Sequence, residues 1–387
     1  MSYLVEKENL TAVQHARGMD GYVRDGIKRA ISLHNSGPIV VAKHGSLSAE
    51  ILDSYWEHGF YVLKNVIGVE ELSELRSDVH RVLKQAPDTP DTEETERGEP
   101  EAGAGFTLPS YRFARPLSDP LGGTKRNKGR HPVKMAGPTP SNDAPKWILQ
   151  LLLGNLQLMD SCLRLYGHPK LLAVAEAVNG PDFVPYNEVT FLKDPGLGPS
   201  VAWHQDGTTH WESSDWDEGA HGFNFMSQLY PSTAGNGVWV LPGSHKLGKI
   251  DIRQKVEKSG SERIEGAVPM ICDAGDVIIS NRQLLHGSFA NTSSDRRVTL
   301  NAGFFPMNRV LGVTTSKLDG RVETYSEDRI YERSRIIALA IDARRRHLPK
   351  EVSYIYQPVV GREHENRWNE KNREEILRDY NLRDLYI

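Results

Sequence analysis

Cysteine is nearly absent from this chain, with Cys162 and Cys272 the two thiols among 387 residues. Two thiols make no disulfide framework, so the fold must rest on its own core, and a reducing, cytoplasmic setting is expected. Long hydrophobic runs are missing too. The longest, from Trp147 to Leu153, is far too short to span a bilayer, and the stretch Met1-Ser2-Tyr3-Leu4-Val5-Glu6-Lys7-Glu8 has no apolar leader segment. Charge of one sign is also lacking. With 47 basic and 51 acidic residues the formal net charge is −4, which gives no electrostatic case for nucleic acid or an anionic membrane. Gly235-Asn236-Gly237 is no dinucleotide fingerprint, because Val240 stands where a third glycine belongs. What remains, 38% hydrophobic and 25% charged, is enough to bury a sizeable core, and the expected partner is a small molecule.

Periodicity divides the chain. A short helix is expected near Gly21 to Ser32, then a strand Ile39-Val40-Val41-Ala42. A helix from Ser48 ends where Gly59 can cap it, followed by a strand Phe60 to Leu63 and a helix from Val69. In that helix Val69, Leu72, Leu75, Val79 and Val82 recur at three- and four-residue steps, the mark of one buried face. Residues 86–140 form the least regular stretch, acidic at first and then basic through Arg112, Arg115, Lys125, Arg126, Lys128, Arg130 and Lys134. It reads as a solvated surface loop or as a lid that meets an anionic substrate. Two helices, Trp147 to Tyr166 and Pro169 to Val178, are split by Gly167-His168-Pro169. Strands then dominate from Phe183 to Phe305, and helix returns from Glu327 to the carboxyl terminus.

The chemistry-bearing pattern is His204-Gln205-Asp206, answered later by His286 and Arg297. Residues two apart on a strand share a face, so His204 and Asp206 can aim at one ion while Gln205 points away. His286, after the strand-like Asp276-Val277-Ile278-Ile279-Ser280, can supply the third ligand. Two histidines and a carboxylate are the facial triad of non-haem Fe(II), which leaves positions open for substrates. Arg297 opens an apolar strand running to Phe305, and alternation puts only one of Arg296 and Arg297 inside. A buried guanidinium needs an anion. Asp295 is one candidate, and a dicarboxylate co-substrate such as 2-oxoglutarate is the other. Gly287 lets the backbone pass close to a ligand, and Ser288 offers a hydroxyl to a carboxylate. His210 and Trp211, after the H-x-D, and Asn224 and Gln228, alternating on Phe223-Asn224-Phe225-Met226-Ser227-Gln228, are candidate substrate contacts. The strand closed by Pro242-Gly243, with His245, reads as structural.

These residues resemble the phytanoyl-CoA dioxygenase family of Fe(II)/2-oxoglutarate oxygenases. The resemblance rests on Trp203-His204-Gln205-Asp206, on Gly237-Val238-Trp239-Val240-Leu241-Pro242-Gly243-Ser244-His245, on His286-Gly287-Ser288 with Asn291 and Arg297, and on Leu47-Ser48 through Gly59-Phe60-Tyr61-Val62-Leu63-Lys64-Asn65. It implies an α+β chain with a mainly β core, a double-stranded β-helix (a distorted jelly roll) braced by amino- and carboxyl-terminal helices. The implied division is an extension over 1–45, the oxygenase domain over 46–310 with the 86–140 insertion, and a helical extension over 311–387. Iron is implied at His204, Asp206 and His286, with 2-oxoglutarate on Arg297 and with Ser288 and Lys193 as secondary contacts. The implied reaction hydroxylates an unactivated C–H of an organic metabolite using O2, releases succinate and CO2, and is open to stimulation by ascorbate. Two other readings remain at this point: a cupin-like metalloenzyme without 2-oxoglutarate, with Arg297 in a structural ion pair, and a non-catalytic binding protein on the same fold.

Overall fold

The computed structural model describes residues 10–41, 47–90, 101–106, 109–207, 210–211, 213–316, 320–378 and 380. The parts of the sequence expectations that fall on Ala42, on 91–100 and 107–108 and on the last seven residues lie outside them. No helix among the described residues is long and apolar enough to cross a membrane.

The amino-terminal half runs α1 (Ala12–Ser32), β1 (Ser36–Pro38), α2 (Ala49–His58), β2 (Phe60–Lys64), α3 (Val69–Lys84), β3 (Tyr111–Ala114), β4 (Ile148–Leu153), α4 (Asn155–Leu158), α5 (Asp160–Tyr166) and α6 (Pro169–Asn179). Then follow β5 (Val184–Lys193), β6 (Val201–His204), β7 (Phe223–Gln228), β8 (Trp239–Val240), α7 (Ile252–Lys258), β9 (Val268–Pro269), β10 (Val277–Asn281), β11 (His286–Ser288) and β12 (Arg297–Phe305). The chain closes with α8 (Met307–Val310), the hairpin β13 (Thr314–Ser316) and β14 (Val322–Thr324), α9 (Glu327–His347) and α10 (Glu370–Leu377). The result is a mixed α+β architecture. A large sheet has the order β1-β2-β10-β7-β12-β5-β4-β3, and a smaller one β6-β11-β8-β9.

Strand alternation gives the large sheet two different faces. Leu63, Leu192, Phe225, Val277, Ile279, Val298 and Leu300 turn toward the helices and share a core with Leu75, Val79 and Val82 of α3, Leu163 of α5 and Ile336 and Leu339 of α9. The opposite face carries Phe60, Val62, Met226 and Ile278, which pack on Val240 and Val268 of the smaller sheet. Farther along that same inner face, on β5, β12 and β7, the side chains become polar: Lys193, Arg297, Thr299, Asn224 and Gln228. Two stacked sheets therefore enclose a polar end, and the site lies there.

Several expected elements change. The strand foreseen at 39–42 is instead Ser36–Pro38, pairing with Val62 to Lys64 of β2. The amino-terminal helix starts nine residues before Gly21, at Ala12, because Thr11 and Gln14 form a capping box. Its Gly26 is a packing device. A Cβ there would fall 2.5 Å from the Trp239 ring, which Tyr22 stacks against at 4.6 Å. Gly26→Ala is expected to cost about 1–3 kcal/mol through overpacking, read as a lowered denaturant midpoint at unchanged m-value. Ile148 to Leu153 is a strand rather than the start of a helix, with alternate residues buried and pairing to β3 and β5 on either side. Val69 is 79% exposed, so the buried stripe of α3 begins at Leu72. The carboxyl-terminal helix is broken after His347, just before Pro349, and α10 is a separate element. In the last turn of α9, Arg344 is buried and joins that helix to Glu71 of α3 at 2.6 Å and to Glu351. It braces the helical layer.

His168, at the head of α6, is buried with Nδ1 lacking a partner. Burial above all, then Arg344 and Lys170, pushes its pKa down from 6.5 to about 3. The unfolded chain therefore binds a proton in that window that the folded chain refuses. Its contribution is intact above pH 6.5 and is lost as pH falls toward 3. His168→Gln is expected to flatten stability against pH over that interval in chemical unfolding.

Candidate metal centre and anion site

His204 ends β6 and His286 begins β11, and the antiparallel register sets them directly opposite each other. Their rings lie 4.1 Å apart between centroids. Each Nδ1 sits 2.8 Å from the carbonyl two residues earlier, Ala202 for His204 and Leu284 for His286. A carbonyl can only accept, so each Nδ1 carries the proton and each Nε2 keeps its lone pair. Both Nε2 atoms face Asp206, at 3.5 Å from Oδ1 for His204 and 4.0 Å from Oδ2 for His286. Ligands about 2 Å from one ion sit about 3 Å from each other, so this donor set fits a single metal with little movement. Gln205 does point away. It donates to Gln283 O at 2.7 Å and accepts from Ile250 N at 2.9 Å. Gly287 makes its close approach to Val201 O and Trp203 of β6 rather than to a ligand position.

Electrostatics keep the cluster ready for a cation. Burial is the largest single influence on Asp206 and opposes its ionisation, but Arg130 and the two histidines together outweigh it and hold the carboxyl well below its usual range. His286 is pushed down to about 4, by burial and then by His204, and stays a neutral donor at ordinary pH. Asn224 donates to Asp206 Oδ2 at 3.2 Å, so this sequence candidate touches the triad through its carboxylate.

The sequence reading did not single out Arg130 and His131 from the basic loop. Arg130 Nη1 lies 3.0 Å from Asp206 Oδ1, and the His131 ring sits 4.3 Å from that of His204. The loop is pinned by Asp119, whose carboxylate accepts from Gly122 N at 2.8 Å and Met135 N at 2.7 Å.

Arg297 points inward and is buried, while Arg296 pairs at the surface with Asp194 at 2.8 Å. Arg297 Nη1 donates to Asn236 O at 3.0 Å, and its Nε has no partner. Among the described residues no carboxylate pairs with it, and the Asp295 backbone carbonyl accepts from Asn291 and Asn236 instead. Burial draws its pKa down to about 10, which leaves it charged at neutral pH. Lys193 stands directly opposite on β5, also buried, with Nζ donating to Phe289 O. Burial, then Arg297, pulls its pKa well below 10.5. Ser288 Oγ is buried and unpartnered. Gln228 is tied to Thr299 at 2.8 Å, two residues along the Arg297 face, while Asn224, four residues earlier on β7, reaches Asp206. The donor cluster and the cation pair therefore share one wall. His210 and Trp211 gather around His221 instead, at ring separations of 5.4 and 4.6 Å.

Fold and site together define a mixed α+β protein with a two-histidine, one-carboxylate cluster beside a buried cationic wall. Residues 151–299 match the family described as Phytanoyl-CoA dioxygenase (PhyH), a segment containing all three donors and Arg297. That matched segment falls on the family that the sequence motifs resemble. It is similar to Phytanoyl-CoA dioxygenase 1 of Oryza sativa subsp. japonica, 31% identical over 117 residues, 28% of this chain and 40% of that protein. The match thus spans less than half of that relative. Among solved structures it is similar to AviO1 from Streptomyces viridochromogenes Tue57, 20% identical with a TM-score of 0.45, covering 66% of this chain and 94% of that one. It is also similar to EctD from S. alaskensis, 18% identical with a TM-score of 0.47, covering 72% and 83%.

Proposed function

We propose that this chain is an Fe(II)/2-oxoglutarate-dependent oxygenase on a double-stranded β-helix, hydroxylating a C–H of a small or medium-sized organic molecule with release of succinate and CO2. The observation that carries the reading is the coincidence on one wall of three converging metal donors and a guanidinium buried without a carboxylate partner among the described residues. His204, Asp206 and His286 would hold the iron, and Arg297 would take the far carboxylate of 2-oxoglutarate, flanked by Lys193 and Ser288. Bound iron with 2-oxoglutarate supplies oxygen activation coupled to decarboxylation. The protein's own part is positional. The Nδ1 hydrogen bonds to Ala202 and Leu284 fix both imidazoles before any ion arrives, so the two rings need little reorganisation for binding. Asn224 orients the carboxylate, and the packed inner sheet face excludes water from the cationic wall. A dicarboxylate relieves the cost of the buried Arg297 charge, which an ion-pair reading of Arg297 would instead assign to a carboxylate of the chain.

The test is succinate formed from 2-oxoglutarate in air, with and without Fe(II). Iron-dependent succinate, lost in His286→Ala, is the expected result. Its absence from iron-loaded parent protein would sink the assignment.

A further inference from the structure

The Arg130–Asp206 contact has an awkward consequence for a metal site. Oδ1, which accepts Arg130 Nη1 at 3.0 Å, is the same oxygen that faces His204 Nε2 at 3.5 Å. A divalent cation held by those donors and a guanidinium would compete for one carboxylate oxygen, and the two cations would repel each other. With the ion bound, Arg130 is expected to turn from Oδ1 and to need another anion. It cannot go far, because the loop carrying it is tied by Asp119 to Gly122 and Met135, and Gly123 N donates to His131 O at 2.8 Å. Arg130 retains 27% side-chain exposure, while its Nε is buried without a partner. Beside it, His131 is 1% exposed, its ring lies against His204, and neither ring nitrogen has a partner. An imidazole buried in this way carries both a donor and an acceptor to be met by something else.

We propose that Arg130 and His131 form a substrate subsite over the metal position, and that the substrate is a small organic oxyanion, a carboxylate or a phosphate ester, rather than a neutral apolar molecule. This rests on the oxygenase reading above and adds the substrate class. The planar guanidinium suits either oxyanion in a two-point contact, and His131 adds a neutral hydrogen bond that selects for shape. Arg130 thus changes partner between the triad carboxylate and the substrate, so substrate binding is favoured once the metal is in place.

The test uses the full chain loaded with Mn(II) and saturating 2-oxoglutarate, and needs no turnover. Free Mn(II), followed by electron paramagnetic resonance, first shows whether the ion binds and whether His204→Ala abolishes binding. Failure here sinks the oxygenase reading before any probe is added, and takes the subsite with it. Proton relaxation of butyrate, propyl phosphate and butyramide is then measured. Enhanced relaxation of one of the two anions but not of the neutral amide is expected, and the responding anion distinguishes carboxylate from phosphate. The response should fall about tenfold in Arg130→Gln and also weaken in His131→Phe, with Mn(II) still bound by both variants. No response from either anion, or a response unchanged in Arg130→Gln, overturns the proposal.

Discussion

Arg297→Met is expected to leave the protein as stable as its parent or about 1–2 kcal/mol more stable, while weakening 2-oxoglutarate binding about a hundredfold. The two effects have opposite sign because one charge serves one purpose. Arg297 is fully desolvated, meets among the described residues a single backbone carbonyl and no carboxylate, and has Lys193 as its cross-strand neighbour. A guanidinium facing a second basic side chain on a buried sheet is costly to fold, and an apolar side chain of similar volume removes that cost. A dicarboxylate restores the balance only when bound, so the parent should gain thermal stability from 2-oxoglutarate and the variant should not. Arg297→Lys is not expected to rescue binding, since an ammonium lacks the planar two-point geometry. Melting curves with and without 2-oxoglutarate check all three statements. A variant that melts far below the parent would mean that the contact with Asn236 matters more to the fold than to a ligand.

Loss of one imidazole is expected to have the largest effect on metal affinity. His204→Ala or His286→Ala should weaken Mn(II) binding by at least about a hundredfold, more than the 10- to 100-fold typical of an outer hydrogen-bond partner. Asn224→Ala supplies the comparison. It removes only the hydrogen bond to Asp206 Oδ2 and should cost about tenfold. The order of these effects distinguishes a converging donor set from a fortuitous polar cluster. If His286→Ala and Asn224→Ala weaken binding equally, the three side chains do not act as one ligand set. Calorimetric titration on apo protein measures both.

Much of this site could be read from period two alone. His204 and Asp206 converge while Gln205 turns to Gln283 and Ile250, as period two predicts, although β6 itself ends at His204 and Asp206 lies just beyond it. The same rule separates Arg297 from Arg296, and the structure places the first inside and the second on Asp194. His245 is fully buried and held by the Trp56 carbonyl at 3.0 Å, as its structural reading required. Period failed where one composition suits two structures. Ile148-Leu149-Gln150-Leu151-Leu152-Leu153 has the leucines of a helix, and only pairing between β3 and β5, a long-range fact, makes it a strand. Arg130 and His131 were hidden for a related reason. A loop has no period, so nothing near residue 130 in sequence tells that Asp119 and Asp206 will draw it onto the site. The substrate candidates divided similarly. Asn224 meets the triad carboxylate, whereas Gln228 is tied to Thr299 and His210 and Trp211 pack around His221.

The central claim is that one ion and one dicarboxylate meet on the wall formed by His204, Asp206, His286 and Arg297. Its most direct test is anaerobic addition of Fe(II) and then 2-oxoglutarate, watching for the weak visible metal-to-ligand charge-transfer band. The account predicts a band in the parent, none in His204→Ala, and one in Arg297→Ala that needs far more 2-oxoglutarate. Iron-loaded parent protein that shows no band at saturating 2-oxoglutarate would contradict it.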